Sequence, residues 1–154
     1  MRFLLFDRIT EAERGKRIQG VKLVSLTDGA LADHYPRRAV LPPTLVVEAM
    51  AQLGGMLHVL NHDFSVEMLL VLVDRVKLTR PVLHGETITI EVWSEYDHPY
   101  GATMNGEARV DGDVVATAGR IVYAHEIITD PKRIQKARDR FAYQGGSPAE
   151  VWVA

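Results

Sequence analysis

The sequence contains no cysteine among its 154 residues, which excludes disulfide bonds and thiol catalysis. The sequence also has little excess charge of either sign. Its formal net charge of -2 gives no general reason to expect a nucleic-acid partner. The apolar stretch from Phe3 to Phe6 is too short for a secretory segment, since Asp7 and Arg8 follow it directly. We therefore predict a cytoplasmic protein without a nucleic-acid partner.

The most apolar part of the chain is a segment in which Glu48 is the only formal charge between Thr44 and Asn61. Pro42 and Pro43 precede this segment, and proline is favoured at the first position of a helix. Aliphatic side chains occupy almost every face, so we predict a buried central helix. The segment is too short and too interrupted by polar and glycine residues for a membrane span of about 20 apolar residues.

After this helix the pattern changes to alternation, which is typical of half-buried strands. Strands are predicted in segments 18–26, 68–78, 87–93, 100–110 and 114–123. Asp111-Gly112 is a strong hairpin signal, whereas Asn105-Gly106 fits either a second turn or a bulge within one strand. The fold class is therefore α+β, with an antiparallel sheet against one apolar helix. Because one sheet covers only part of such a helix, we expect a homo-oligomer, most simply a symmetric dimer.

The presence of Glu48 in a buried apolar helix needs a chemical explanation, because burying an unpaired carboxylate costs considerable free energy. His34 lies fourteen positions earlier, and a histidine with a carboxyl group is a common acid and base pair. Around this pair, several short segments form an ordered set, namely residues 3–9, 33–36, 41–42, 48–52, 73–77, 80–82, 85–86 and 110–116. In these segments the chain resembles the hot-dog-fold 3-hydroxyacyl-acyl-carrier-protein dehydratases, specifically the subgroup that uses glutamate.

The resemblance implies an antiparallel sheet wrapped round the central helix, and a homodimer or a trimer of dimers with sites at the dimer interface. It implies dehydration of a 3-hydroxyacyl thioester to the trans-2-enoyl thioester, in fatty acid synthesis or a specialised lipid or polyketide route. The substrate would be an acyl chain linked through phosphopantetheine to an acyl-carrier protein, without metal or organic cofactor. His34 would be the base, and Glu48 on the partner's helix would be the acid.

The sequence departs from the family pattern beside this pair. The pattern usually ends in a glycine whose backbone N–H binds the thioester oxygen, but Pro43 stands there and proline has no N–H. Thr44, the next residue, is therefore the predicted oxyanion donor, because N–H groups in a first helical turn lack intrahelical partners. Gln52 lies one turn after Glu48, where it either orients the carboxylate or fills a polar gap.

Two basic segments are candidates for contact with an acidic carrier protein or its phosphopantetheine phosphate. Arg37 and Arg38 lie beside His34, and a basic helix is predicted at about 130–141, beginning at Asp130-Pro131. We predict one hot-dog domain over residues 1–143 and a flexible carboxyl-terminal extension over 144–154.

The sequence also leaves two other functions open, those of a non-catalytic acyl- or carrier-binding protein and of an acyl thioesterase.

A metal site is not expected. His58 and His62 have the i,i+4 spacing of metal ligands, but no adjacent carboxylate completes the set, so they are interpreted as histidines near the end of a helix.

Overall fold

The computed structural model of the protein describes residues 4–35 and 37–146. The elements in chain order are β1 (Arg8–Glu13), β2 (Arg17–Leu23), α1 (Gly29–His34), β3 (Val40–Leu41), α2 (Pro43–Asn61), β4 (Val66–Leu78), β5 (Val82–Leu83), β6 (Thr87–His98), β7 (Gly101–Val110), β8 (Asp113–Ile127) and α3 (Pro131–Tyr143). Five of the strands match the strand segments predicted from sequence, whereas β1, the two-residue strands β3 and β5, and α1 are not predicted.

Six strands form one antiparallel sheet in the order β1-β2-β6-β7-β8-β4, and β3 pairs with β5 separately. The alternation predicted in β6 is confirmed, because Ile88, Ile90 and Val92 are all buried. Asp111 and Gly112 form the predicted hairpin turn, with φ angles of 51° and 88°, as a type I′ turn requires. The second turn signal is a strand irregularity instead, since β7 continues past a register shift between Met104 and Gly106.

Helix α2 lies in the core and starts at Pro43, as the sequence predicts. The sheet wraps round it, and Met50, Leu53 and Leu57 are fully buried. In the described part of the chain it is the one helix with the length and hydropathy of a membrane span, but 56% of that window is buried inside the protein. Its apolar surface is therefore used in packing against the sheet.

Helix α3 follows the sheet and packs on the body of the domain through one aromatic side chain. The side chain of Asp130 caps the helix by accepting a hydrogen bond from the N–H of Lys132 at 2.9 Å. Phe141 is fully buried and meets the ring of Phe64 edge to face. Beyond the helix, the carbonyl of Gln144 accepts a hydrogen bond from the N–H of Ile9 at 2.7 Å. Residues 147–154, most of the predicted extension, lie outside the described residues.

Candidate functional site

Glu48 lies in the middle of the amino-terminal half of α2, half-buried, and is held by a side chain one turn later. The amide Nε2 of Gln52 donates a hydrogen bond to Glu48 Oε1 at 3.0 Å. The amide oxygen of Gln52 in turn accepts a hydrogen bond from the N–H of Leu5 at 3.0 Å. Because both ends of the amide are engaged, Gln52 fixes the direction in which this carboxylate oxygen points.

Tyr123 on β8 lies close to this carboxylate and was not identified from the sequence. Its hydroxyl donates a buried hydrogen bond of 2.6 Å to the carbonyl of Ala51. Burial, reinforced by the negative charge of Glu48, raises the pKa of Tyr123 well above its ordinary value, so the phenol stays protonated. A Cβ added to Gly54 would lie 2.6 Å from this hydroxyl, so the glycine allows the close contact between α2 and β8.

His34 ends α1 and is exposed. Its ring meets that of Tyr35 edge to face, with 4.5 Å between the centroids. Within the described part of one chain, no hydrogen bond or ion pair joins His34 to Glu48. The described chain by itself therefore does not join the two predicted catalytic groups.

The amino terminus of α2 offers a free backbone donor about one helical turn before Glu48. Pro43 is the first helical residue and lacks an N–H, while the N–H of Leu45 already donates to the carbonyl of Pro42 at 2.9 Å. Between them, the N–H of Thr44 has no hydrogen-bond partner among residues 4–35 and 37–146, and Thr44 is exposed. The first available N–H at the positive end of the helix dipole is thus that of Thr44.

A cavity of about 540 Å³ opens between α2, β4 and α3. Gln52 lines it, so the cavity approaches the carboxylate that this amide holds. Met56, Val59 and Val66 supply apolar wall, while Arg133, Lys136 and Arg140 stand on the α3 side. The space therefore joins an apolar interior to a basic rim.

Strand β4 lies at one edge of the six-stranded sheet and is thirteen residues long. Apolar side chains on this strand face outward, among them Leu69 with 69% and Val71 with 60% of its surface exposed. Long apolar edge strands are templates for pairing with another chain. Within the described chain, this edge therefore leaves backbone groups unpaired beside exposed apolar side chains.

A separate group of imidazoles lies at the other end of α2 from Thr44. His58, His62 and His125 each offer a ring nitrogen, and these atoms lie within 4.8 Å of one another. Burial, together with the neighbouring His62, lowers the pKa of His58 to about 4, so its imidazole is neutral at pH 7. Burial also lowers the pKa of His125. In the described part of the chain, these three imidazoles form a group close enough together to approach one metal ion.

Comparison with known proteins identifies similar sequences and folds. The model of the FabA-like domain family matches residues 1–119. The 3-hydroxyacyl-acyl-carrier-protein dehydratase FabZ of Vibrio cholerae is 38% identical over 119 residues, covering 75% of this chain and 78% of that protein.

Two solved structures match the overall architecture. The dehydratase heterocomplex ApeI:P from Xenorhabdus doucetiae matches with a TM-score of 0.68 and 17% identity, over 86% of this chain and 88% of that one. A hot-dog-like protein from Thermanaerovibrio acidaminovorans matches with a TM-score of 0.63 and 19% identity, over 84% and 93%. These likenesses confirm the predicted α+β hot-dog fold.

Proposed function

The chain belongs to the FabA-like family, and we propose that it is a lyase that dehydrates 3-hydroxyacyl-acyl-carrier-protein to the trans-2-enoyl thioester in fatty acid biosynthesis. Family membership agrees with the resemblance identified in the sequence. The observation that carries the proposal is the 38% identity to FabZ over three quarters of the chain. The family model matches residues 1–119, which include both His34 and Glu48.

The catalytic unit is a homodimer in this proposal. His34 and Glu48 do not meet within one described chain, and β4 presents an unpaired apolar edge. Pairing of two β4 strands would extend the sheet across both subunits and cover those side chains. The His34 of one subunit would then serve the Glu48 of its partner. A trimer of such dimers remains a prediction from the family resemblance.

The proposed reaction is a β-elimination in which His34 and Glu48 carry out the proton transfers. His34 removes a proton from C2, and the electron pair of that C–H bond forms the C2–C3 double bond. The C3–O bond breaks as Glu48, oriented by Gln52, gives its proton to the departing hydroxyl, which leaves as water. The Thr44 N–H binds the thioester oxygen while negative charge develops there. The proton on His34 returns to Glu48 through solvent before the next turnover.

The apolar cavity beside Gln52 is the proposed place for the acyl chain. It adjoins the carboxylate through the amide that lines it, and its volume of about 540 Å³ is in the range typical of small-molecule sites. The phosphopantetheine arm would enter from the surface that carries His34, Arg37 and Arg38, all of which are exposed. A cytoplasmic location, where soluble carrier proteins are found, remains part of this proposal.

A product assay tests the proposed function directly. Incubated with a 3-hydroxyacyl-acyl-carrier protein, the purified protein is expected to give the enoyl thioester, measured by mass spectrometry of the carrier arm. The Glu48→Gln variant, which keeps the shape of the side chain, serves as the matched control and should form the product at least about 10²-fold more slowly. Release of the free acid would identify a thioesterase, and recovery of unchanged substrate would identify an acyl- or carrier-binding protein. Either result would overturn the assignment.

The carrier is expected to dock on the pair Arg37 and Arg38. Reversing both charges, as Arg37→Glu with Arg38→Glu, should raise KM for the carrier substrate by roughly tenfold or more and change kcat little, because steering charges act on encounter. The effect should shrink in high salt. Reversal of Lys132 and Lys136 on α3 is the matched control. If that variant raised KM and the Arg37/Arg38 variant did not, the docking surface would be α3 instead.

A further inference from the structure

Four side chains from three different elements converge at the carboxyl-terminal end of α2, away from the proposed dehydratase site. His58 and His62 are one helical turn apart on α2, Asp97 lies near the end of β6, and His125 is on β8. His58 is fully buried, whereas the side chains of His62 and Asp97 are 28% and 43% exposed. The cluster therefore begins in the core and opens to the surface.

Two imidazoles of this cluster face the carboxylate of Asp97, but at distances too long for hydrogen bonds. Asp97 Oδ1 lies 3.5 Å from His62 Nε2 and 3.9 Å from His58 Nδ1. Both of these ring nitrogens are buried and have no hydrogen-bond partner in the described part of the chain. Burying a nitrogen without a hydrogen-bond partner is unfavourable, so two such nitrogens facing one carboxylate need a reason.

A metal ion accounts for this spacing. Nitrogen and oxygen ligands lie about 2.0–2.2 Å from Zn²⁺ in tetrahedral sites, which separates neighbouring ligand atoms by roughly 3.3–3.5 Å. The two contacts of Asp97 Oδ1, at 3.5 and 3.9 Å, are within about half an ångström of that separation, so small side-chain rotations would bring both to it. Two neutral imidazole nitrogens with one carboxylate oxygen suit zinc, cobalt or nickel, and not magnesium or calcium, which prefer oxygen ligands alone.

We propose that His58 Nδ1, His62 Nε2 and Asp97 Oδ1 bind one divalent transition-metal ion of the zinc class, with water in the fourth position. His125 is a positioning residue for this site. Its Nδ1 lies 2.8 Å from His58 Nε2. With the ion bound, His125 Nδ1 would accept a hydrogen bond from His58 Nε2 and so turn the other nitrogen of His58 toward the ion. The N–H of His98 donates to Asp97 Oδ1 at 3.0 Å and fixes the carboxylate similarly.

The proposed ion would be structural. It would tie the end of α2 to the end of β6 and, through His125, to β8, and it would give a partner to the two buried ring nitrogens of α2 that have none in the described part of the chain. Nothing in the proposed elimination requires it, so the dehydratase assignment and the metal site stand or fall separately.

Metal binding is best measured on untagged protein that has been stripped with a chelator. Titration with CoCl2 should give the visible absorption of tetrahedral cobalt at one ion per chain, and ZnCl2 should displace it. Saturating ZnCl2 should also raise Tm, because an ion that binds only the folded state stabilises it. His125→Gln should weaken the affinity by about 10–100-fold while leaving the stoichiometry unchanged, as expected for an outer positioning group.

Two variants and a matched control decide the assignment. His62→Gln and Asp97→Asn should each abolish the cobalt absorption. Asp97 is largely at the surface, so Asp97→Asn tests the metal site even if His62→Gln folds poorly. His84→Gln changes an exposed histidine outside the cluster and should bind as the unaltered protein does. Absence of cobalt absorption in the unaltered protein, or its retention in either variant, would overturn the proposal.

Discussion

Mixed dimers of His34→Ala and Glu48→Gln chains are expected to recover dehydratase activity that neither variant has alone. Each variant alone should lose roughly 10²–10⁴ in kcat, the usual contribution of a general acid or base. In a mixed dimer, the intact His34 of one subunit meets the intact Glu48 of the other, so one of the two sites is whole. Random association should therefore restore roughly a quarter of the unaltered activity, because half of the dimers are mixed.

The experiment requires unfolding and refolding the two chains together, or producing them in the same cells, followed by measurement of enoyl product. Mixing two preparations of the same variant is the control and should restore nothing. The geometry of the described chain, in which His34 and Glu48 make no mutual hydrogen bond or ion pair, predicts recovery. If the mixture were as inactive as its components, the pair would not act across two subunits.

Thr44→Pro is expected to lower kcat by roughly 10²–10³ with little effect on folding, because it removes one oxyanion donor. The first turn of a helix tolerates proline, since an N–H there has no intrahelical partner to lose. The measurement is steady-state kinetics on the carrier-bound substrate, together with a thermal melt to verify that the variant folds.

Thr44→Ala is the matched control, because it removes the hydroxyl and keeps the backbone N–H. It should retain most of the activity if the N–H binds the thioester oxygen. A large loss in Thr44→Ala would transfer that role to the hydroxyl. Full activity in Thr44→Pro would place the oxyanion donor elsewhere.

The features that the sequence predicts well are governed by local chemistry. Proline at the start of α2, two adjacent residues suited to positive φ at Asp111 and Gly112, and the alternation in β6 each determine a short piece of backbone. By contrast, β1 and α1 are short and have no strong periodicity, so they were missed. The pair Asn105-Gly106 was ambiguous because the same residues suit a turn and a bulge, and only pairing with β8 resolves it.

The same distinction holds for the candidate site. Contact between Glu48 and Gln52 follows from their separation by one helical turn, and the hydrogen bond is present. Tyr123 is close to the carboxylate only because the sheet folds over α2, a long-range arrangement that no local pattern encodes. The roles of His34, Thr44, Arg37 and Arg38 remain predictions, since they depend on a substrate and a second subunit.

The exposed edge of β4 affects the newly synthesised chain before it dimerises. If catalysis requires two subunits, an unassembled chain is both inactive and prone to aggregation. Its β4 edge can pair with any other unpaired strand, because Leu69 and Val71 stay exposed. Dimerisation would then remove an aggregation hazard in the same step that creates activity. Low expression would leave proportionally more enzyme dissociated, so output would fall faster than the amount of protein.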